Sequence, residues 1–487
     1  MLTFIVFFPL LGAIAVATLP REEEWRAKQV AALVTTATLA ASVIVLTLFE
    51  RDEAGFQFVE RFRWIEAGGF DIQYFLGIDG INLVMVMLTT LLFVLAMLIS
   101  WNIELRPREY FAWLLVLETG VLGVFTSLDL ILFFLFWEVE LLPMYMLISI
   151  WGTGRKEYSA TKFVIYTLAG SALMLTGILV LGFSADPHTF DIRELSQAEI
   201  RDVLLPLPAI FFLIFAGFAV KLPVFPFHTW LPDAHSDAPM AVSVILAGVL
   251  LKMGGYGMIR VCVTILPGVA KDYAVWLAAF AAVNIIYGAI VTLRQTDLKR
   301  LIAYSSVSHM GYVLLGIAAM GQVGLTGATL QMFTHGTITG LLFVMVGLVY
   351  NRTHTRDIAQ LKGLAHNMPV IATVMLIAGL ASLGLPAMSG FVAEVMVFLG
   401  TIDKHPAATI IAVTGIVLTA GYVLWMIERV FFGPAVERWR DLDDATEWWE
   451  QIPMAALVAT ILVVGVYPAI LVDIITNGVE PIVARLV

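Results

Sequence analysis

Residues 218–260 read FAVKLPVFPFHTWLPDAHSDAPMAVSVILAGVLLKMGGYGMIR, and the rest of the chain is organised around them. Lys221 and Lys252 stand inside otherwise apolar helical segments. Between them lie four prolines (Pro223, Pro226, Pro232, Pro239), two histidines and two aspartates. A charge at the centre of a bilayer costs roughly 2.5–3.5 kcal/mol on insertion scales, so a lysine kept there needs a reason. Pro223, two residues past Lys221, cannot donate to the helix ladder and clashes with the preceding turn. The pattern predicts a membrane helix broken at a functional lysine, as transporters use to line a polar cavity.

Composition extends this reading to all 487 residues. The chain is 60% hydrophobic and 14% charged, against about 25% charged in a soluble domain, and its mean hydropathy is +0.91. The class is an all-α polytopic membrane protein. The net charge of −10 sits in loops, and there is no basic patch with interleaved aromatics, so nucleic acid is not implied. Cys262 is the only cysteine, which excludes an intrachain disulfide and an iron–sulfur cluster held by this chain alone. No P-loop or GxGxxG pattern supports a nucleotide site. Ala15-Val16-Ala17 resembles a signal-peptide cleavage site, but the segment lacks a basic start and further spans follow, so 2–19 reads as the first span.

About fourteen spans are expected, the last at 453–475, and two of them, 206–230 and 369–400, are interrupted by proline or glycine. Lysines and arginines number fifteen after odd-numbered spans and seven after even-numbered ones. Odd loops are therefore expected in the cytoplasm and both termini on the other side. An internal repeat is also visible. Asp129 of TSLDLILFFLF matches Asp297 of RQTDLKRLIAY, Gly170 matches Gly336, and Leu222-Pro223 matches Leu385-Pro386, all at offsets of 163 to 168. Five spans per unit is an odd number, so the units must be inverted. The expected division is 1–108 for helices 1–3, 109–262 for the first repeat, 274–432 for the second, and 433–487 for the C-terminal loop and last helix.

Polar residues inside spans are the candidate site. Glu138 in FFLFWEVELLPMYMLI lies mid-span, with Glu140 two residues on, on a different helical face. Pro143 loosens the turn around them. Burial disfavours the charged form of a lysine and a nearby carboxylate restores it, so a Glu–Lys pair can act as a proton switch. The bland readings are a structural ion pair or a lysine snorkelling to the interface. His309 and His335, with Ser305, Ser306, Ser308 and Thr334 around them, suit a proton relay, although a lone membrane histidine is often a helix–helix hydrogen-bond donor. Glu394, in SGFVAEVMVF, follows the second break at Gly384–Gly390 and reads as a terminal proton site. His228, Asp233, His235 and Asp237 match no closed zinc pattern and are expected to cap the broken helix and the next one. Asp129, Lys162, Arg260, Asp297, Lys299, Arg300, Glu428 and Arg429 sit near span ends and read as structural or subunit-facing.

The segments WEVELLPMYMLISIWG, the 218–257 stretch, RLIAYSSVSHMGYV and GLPAMSGFVAEVMVFLG resemble the antiporter-like membrane subunits of respiratory complex I, the proton-pumping NADH:quinone oxidoreductase. The same family supplies subunits of multisubunit sodium/proton antiporters and membrane-bound hydrogenases. Most members carry lysine in the second broken helix. Glu394 at that position resembles the M-type (mitochondrial fourth-subunit) branch, as does the end of the chain at Val487, without the long lateral helix of the L-type. The resemblance implies Glu138 and Lys221 as a coupling pair, Lys252, His309 and His335 as a central relay, and Glu394 as the distal site. Glu140 is a second acid that the pattern leaves open. The resemblance also implies a multi-pass subunit of the cell inner (plasma) membrane beside L-type, N-type and small K-type subunits. NADH, FMN, iron–sulfur clusters and quinone would belong to partner subunits, with no redox centre here. The chain is similar as well to the D-type subunit of the ferredoxin-dependent photosynthetic relative. Rival readings are a cation/proton antiporter subunit and a structural subunit that supports a neighbouring pump.

Overall fold

Apolar runs of about 20 residues can satisfy every backbone group in a lipid only as helices, and that is how this chain folds. The structure is a computed structural model that describes residues 1–20, 23–67, 70–200 and 204–486. Among these, eleven helices are long and apolar enough to cross a membrane by length and composition. The other three expected spans fall on shorter apolar helices: Leu2–Thr18, Leu207–Lys221, and the pair Pro369–Ser382 and Ser389–Thr401. Three helices form the centre. The apolar windows of Met240–Val263, Leu298–Ala318 and Gln322–Thr353 are 100%, 94% and 94% buried, against 33% for the outer helices Glu24–Leu48 and Trp448–Val466. Lys252, His309 and His335 are carried by those central helices.

The first break has a clear local cause. Helix Leu207–Lys221 ends because Pro223 has no N–H. Val224 instead donates to the Ala219 carbonyl, five residues back (2.8 Å). The Val220 carbonyl, left without its ladder donor, accepts the Trp230 indole N–H at 2.9 Å. Asn284 of helix Ala274–Leu293 staples the break. Its Oδ1 accepts from Phe225 N (2.6 Å), and its Nδ2 donates to the Pro223 and Val307 carbonyls (3.1 and 3.2 Å). The second break repeats the device: Leu385 N donates to Leu380 O, again five residues back, just before Pro386. The span holding Lys252 is itself irregular, with π-helical turns at Leu246–Leu250 and Met258–Val263 on either side of it.

Two aspartates at repeat-related positions behave alike. Asp129 caps helix Leu130–Val139 by accepting from Ile131 N and Leu132 N (2.9 and 3.0 Å), and its backbone bridges to Asp191. Asp297 caps helix Leu298–Ala318 through Lys299 N and Arg300 N (2.8 and 2.9 Å), and bridges to Asp357.

The structure departs from the sequence expectation in three places. An antiparallel hairpin, Gln57–Ala67 with Phe70–Ile78, occupies what reads as a plain loop. Alternating residues such as Phe62, Trp64, Tyr74 and Leu76 carry a period-two signal that was legible there. The last expected span, 453–475, is two helices, Trp448–Val466 and Ala469–Val483, because Pro468 interrupts the ladder between them. The aspartates and histidines of 228–237 also cap nothing: helices Trp230–Asp237 and Met240–Ile245 have no side-chain cap. Asp233 instead holds Lys162 (2.8 Å), Asp237 accepts from the Ser159 hydroxyl (2.6 Å), and the ring nitrogens of His228 and His235 are buried without partners.

Candidate functional site

Pro143 shapes the first part of the site. It removes the donor that would bond the Val139 carbonyl and crowds it, so the helix is divided there into Leu130–Val139 and Leu141–Trp151. Glu140 sits at the joint, 0% exposed, and forms an ion pair with the ammonium of Lys221, itself 1% exposed at the first break. The rings of Trp137 and Phe163 flank the ammonium at 5.4 and 5.2 Å, within cation–π range. The other oxygen of Glu140, Oε2, has no partner.

The expected partner, Glu138, is not bonded to Lys221. Two residues of helix turn the pair by about 200°, so when Glu140 points inward Glu138 points outward. It is half-buried on the face that also exposes Leu135, Val139 and Leu142. Its Oε1 is nevertheless shielded and unpartnered. The lysine thus stands between an inner carboxylate it touches and an outer one it does not.

The second part is a row. Lys252, fully buried, donates to the Ala247 carbonyl five residues back and lies 2.8 Å from His335 Nδ1. The rings of His335 and His309 are 5.6 Å apart. His309 Nε2 lies 3.2 Å from the Ser382 hydroxyl, and its Nδ1 lies 3.6 Å from Glu394 Oε1. Between them is a cavity of about 10 Å³, lined by His309, Gln331, His335, Thr339, Ser382 and Glu394. That is the space of one water, and His335 Nε2 and His309 Nδ1 are buried beside it without direct partners. The carboxylate of Glu394 folds back on the second break: a Cβ on Gly384, whose φ is +76°, would lie 2.7 Å from Glu394 Oε2.

Lys221 and Lys252 are separated by close apolar packing. The backbones of Phe218 and Leu222 come so near helix Leu251–Gly257 that a Cβ on Gly254 would meet Phe218 O and Leu222 N at 2.7 Å. The site therefore has two polar groups, Glu140–Lys221 and Lys252–His335–His309–Glu394, with no polar contact between them among the described residues.

Other membrane charges are mostly paired. Arg260 binds Asp79 (2.5 Å), Arg300 reaches Asp233 (3.4 Å), and Lys299 donates to the Ala238 carbonyl. Arg429 lies over Trp425 at 4.2 Å, and Glu428 is exposed. Glu118 is the exception that the sequence reading missed: it is fully buried and both its oxygens lack partners. Among the described residues, no three His, Cys, Asp or Glu side chains converge on a metal position.

The profile of the NADH:quinone oxidoreductase/Mrp antiporter transmembrane family matches residues 127–419, which include every residue of both polar groups. The chain belongs to this family. It is 42% identical to the NADH-quinone oxidoreductase subunit M of Rhodobacter capsulatus, covering 99% of this chain and 96% of that one. It is 43% identical to an NAD(P)H-quinone oxidoreductase chain 4 of Synechococcus elongatus, over 96% and 88%. A chain in the structure of respiratory complex I from Thermus thermophilus with bound NADH superposes with a TM-score of 0.87 at 26% identity, covering 99% and 100%. A chain of the Mrp complex from Dietzia shares the fold at the same TM-score, with 22% identity. The M-type resemblance and the antiporter-like helical fold are thereby borne out.

Proposed function

We propose that this chain is a proton-translocating membrane subunit of an NADH:quinone oxidoreductase, with Glu138, Glu140 and Lys221 as its coupling element and Lys252, His335, His309 and Glu394 as its proton path. The observation that carries the reading is the unbroken row from Lys252 to Glu394, four buried titratable side chains in contact or one water's space apart. Such a row has no role in holding up a scaffold that apolar side chains could not fill at lower cost.

Glu138 is the carboxylate on the outward face, where a charge arriving through a neighbouring subunit meets it first. A change there shifts Lys221 between Glu138 and Glu140, and with it the lysine's hold on its proton. A proton received at Lys252 passes through His335, the single-water cavity and His309 to Glu394, and leaves on the far side. Moving one charge against the membrane potential takes about 2.3 kcal/mol per 100 mV, and each tenfold change in proton affinity supplies about 1.4 kcal/mol. A change of a few powers of ten is enough.

The matched behaviour of Asp129 and Asp297, and of the two breaks, supports reading 109–262 and 274–432 as inverted repeats. The loop charges support both termini on the non-cytoplasmic side of the cell inner membrane. The expected neighbours are L-type, N-type and K-type subunits, with NADH, FMN, iron–sulfur clusters and quinone held by partner chains. The test is proton pumping and quinone-reductase turnover in inverted vesicles carrying Glu394→Gln, with assembly followed by native gel. Assembled complex that turns over but no longer pumps is expected. Wild-type pumping in that variant would overturn the path.

A further inference from the structure

A second polar chamber has none of the relay residues in its wall. It has a volume of about 270 Å³ and is built where several segments end: the start of helix Gly80–Ile99, the short helix Ile192–Leu195, the end of span Met240–Val263, and the C-terminal helix Ala469–Val483. Its charged and polar wall includes Asp79, Arg193, Ser196, Gln197, Arg260 and Arg485. Three guanidiniums therefore face one carboxylate.

Each arginine keeps donors to spare. Arg260, only 3% exposed, gives one Nη to Asp79 (2.5 Å) and Nε to the Tyr256 hydroxyl (3.3 Å), two of its five N–H groups. Arg193 lies over the Phe75 ring at 4.2 Å and reaches Asp191 at 3.4 Å, while its Nε is buried with no partner. Arg485 donates to the Ser196 carbonyl (3.2 Å) and makes no ion pair among the described residues. Behind the wall, Asp191 and Glu194 both engage Arg61 (3.3 and 2.9 Å). Asp129, whose backbone bridges to Asp191, stands behind these groups as well, so the excess of guanidinium is local to the chamber wall.

We infer that this chamber binds a phosphate group. Three guanidiniums lining one chamber from three segments suit the oxygens of a phosphate, which arginine binds in bidentate fashion. The wall itself sets three guanidiniums against one carboxylate, an excess that suits an anionic phosphate. The chamber lies at helix ends, the level at which lipid headgroups sit, and its volume exceeds that of several waters. An anionic lipid headgroup and free inorganic phosphate share this chemistry.

The test compares intact complex, wild-type and R193Q/R485Q, stripped of lipid and then given either inorganic phosphate or phosphatidylglycerol nanodiscs, by density maps and by retained radiolabelled phosphate. Neither residue belongs to the relay, and the maps themselves report assembly. If the double variant does not assemble, R485Q alone is used, since that exposed side chain holds only a carbonyl. A tetrahedral feature about 3 Å from the guanidiniums is expected in the wild type and is lost in the variant. Density in both arms supports a general phosphate site; density with phosphatidylglycerol alone, continuing into its glycerol, makes it a headgroup site. A chamber holding only water in both arms, or filled by a side chain of an adjacent subunit, overturns the inference.

Discussion

Replacing Glu140 by glutamine tests the part of the mechanism that the structure changed most. The substitution keeps the size of the side chain and removes its charge, leaving Lys221 at 1% exposure with only aromatic rings and the more distant Glu138 around it. Removing one partner of a buried ion pair typically costs about 3–5 kcal/mol, because the remaining charge is uncompensated. Charged to the protonation of Lys221, that is roughly two to four powers of ten in proton affinity. The lysine's hold on its proton would weaken by that factor, and the switch would lose one of its two states. Proton pumping in inverted vesicles is expected to fall to a tenth or less of wild type, with quinone-reductase turnover falling where it is coupled and native gels showing assembled complex. Glu140→Asp restores the charge and is expected to recover part of the rate. The assay is run beside Glu138→Gln and Lys221→Ala. If Lys221→Ala abolishes pumping while Glu140→Gln leaves it at wild-type level, the inner carboxylate is not the lysine's working partner and the two-carboxylate switch is refuted.

Asn284→Leu leaves Phe225 N and the Pro223 carbonyl without their side-chain partner at the first break. At about 1–3 kcal/mol for each unsatisfied group, the complex should lose several degrees in thermal stability or fail to assemble, as read by heated native gels. Gly384→Ala forces a Cβ onto a backbone with φ of +76° and toward Glu394 Oε2, whereas Gly433→Ala, at φ +100°, meets nothing within 4 Å. Both carry backbone strain, so only the first is expected to slow pumping beyond what its loss of stability explains. Arg260→Met alone strands a buried Asp79 and is expected to cost about 3–5 kcal/mol. The double change with Asp79→Asn, which keeps a helix-capping side chain, should recover most of the assembled complex, and failure to recover would mean that the pair does more than neutralise itself.

The class, the approximate spans and most of the polar residues that matter can be read from the chain alone. Those signals are local: apolar runs of bilayer length, prolines that remove a donor from a helix, and ionisable side chains too costly to keep in lipid without use. Lys221, Lys252, His309, His335 and Glu394 were all legible for that reason, and so were both breaks. Pairing, in contrast, depends on the packed molecule. Which of Glu138 and Glu140 faces Lys221 depends on how the segment around Pro143 is rotated against helix Leu207–Lys221, and residue spacing says only that the two acids point different ways. The small cavity between the histidines and Glu394 brings together residues up to 85 apart in the sequence. Asn284 and Glu118 escaped notice because an amide or a carboxyl in an apolar run carries no mark of what it will meet. Burial, partners and unmet hydrogen bonds belong to the packed molecule, and the direction of a side chain is fixed only when its neighbours are.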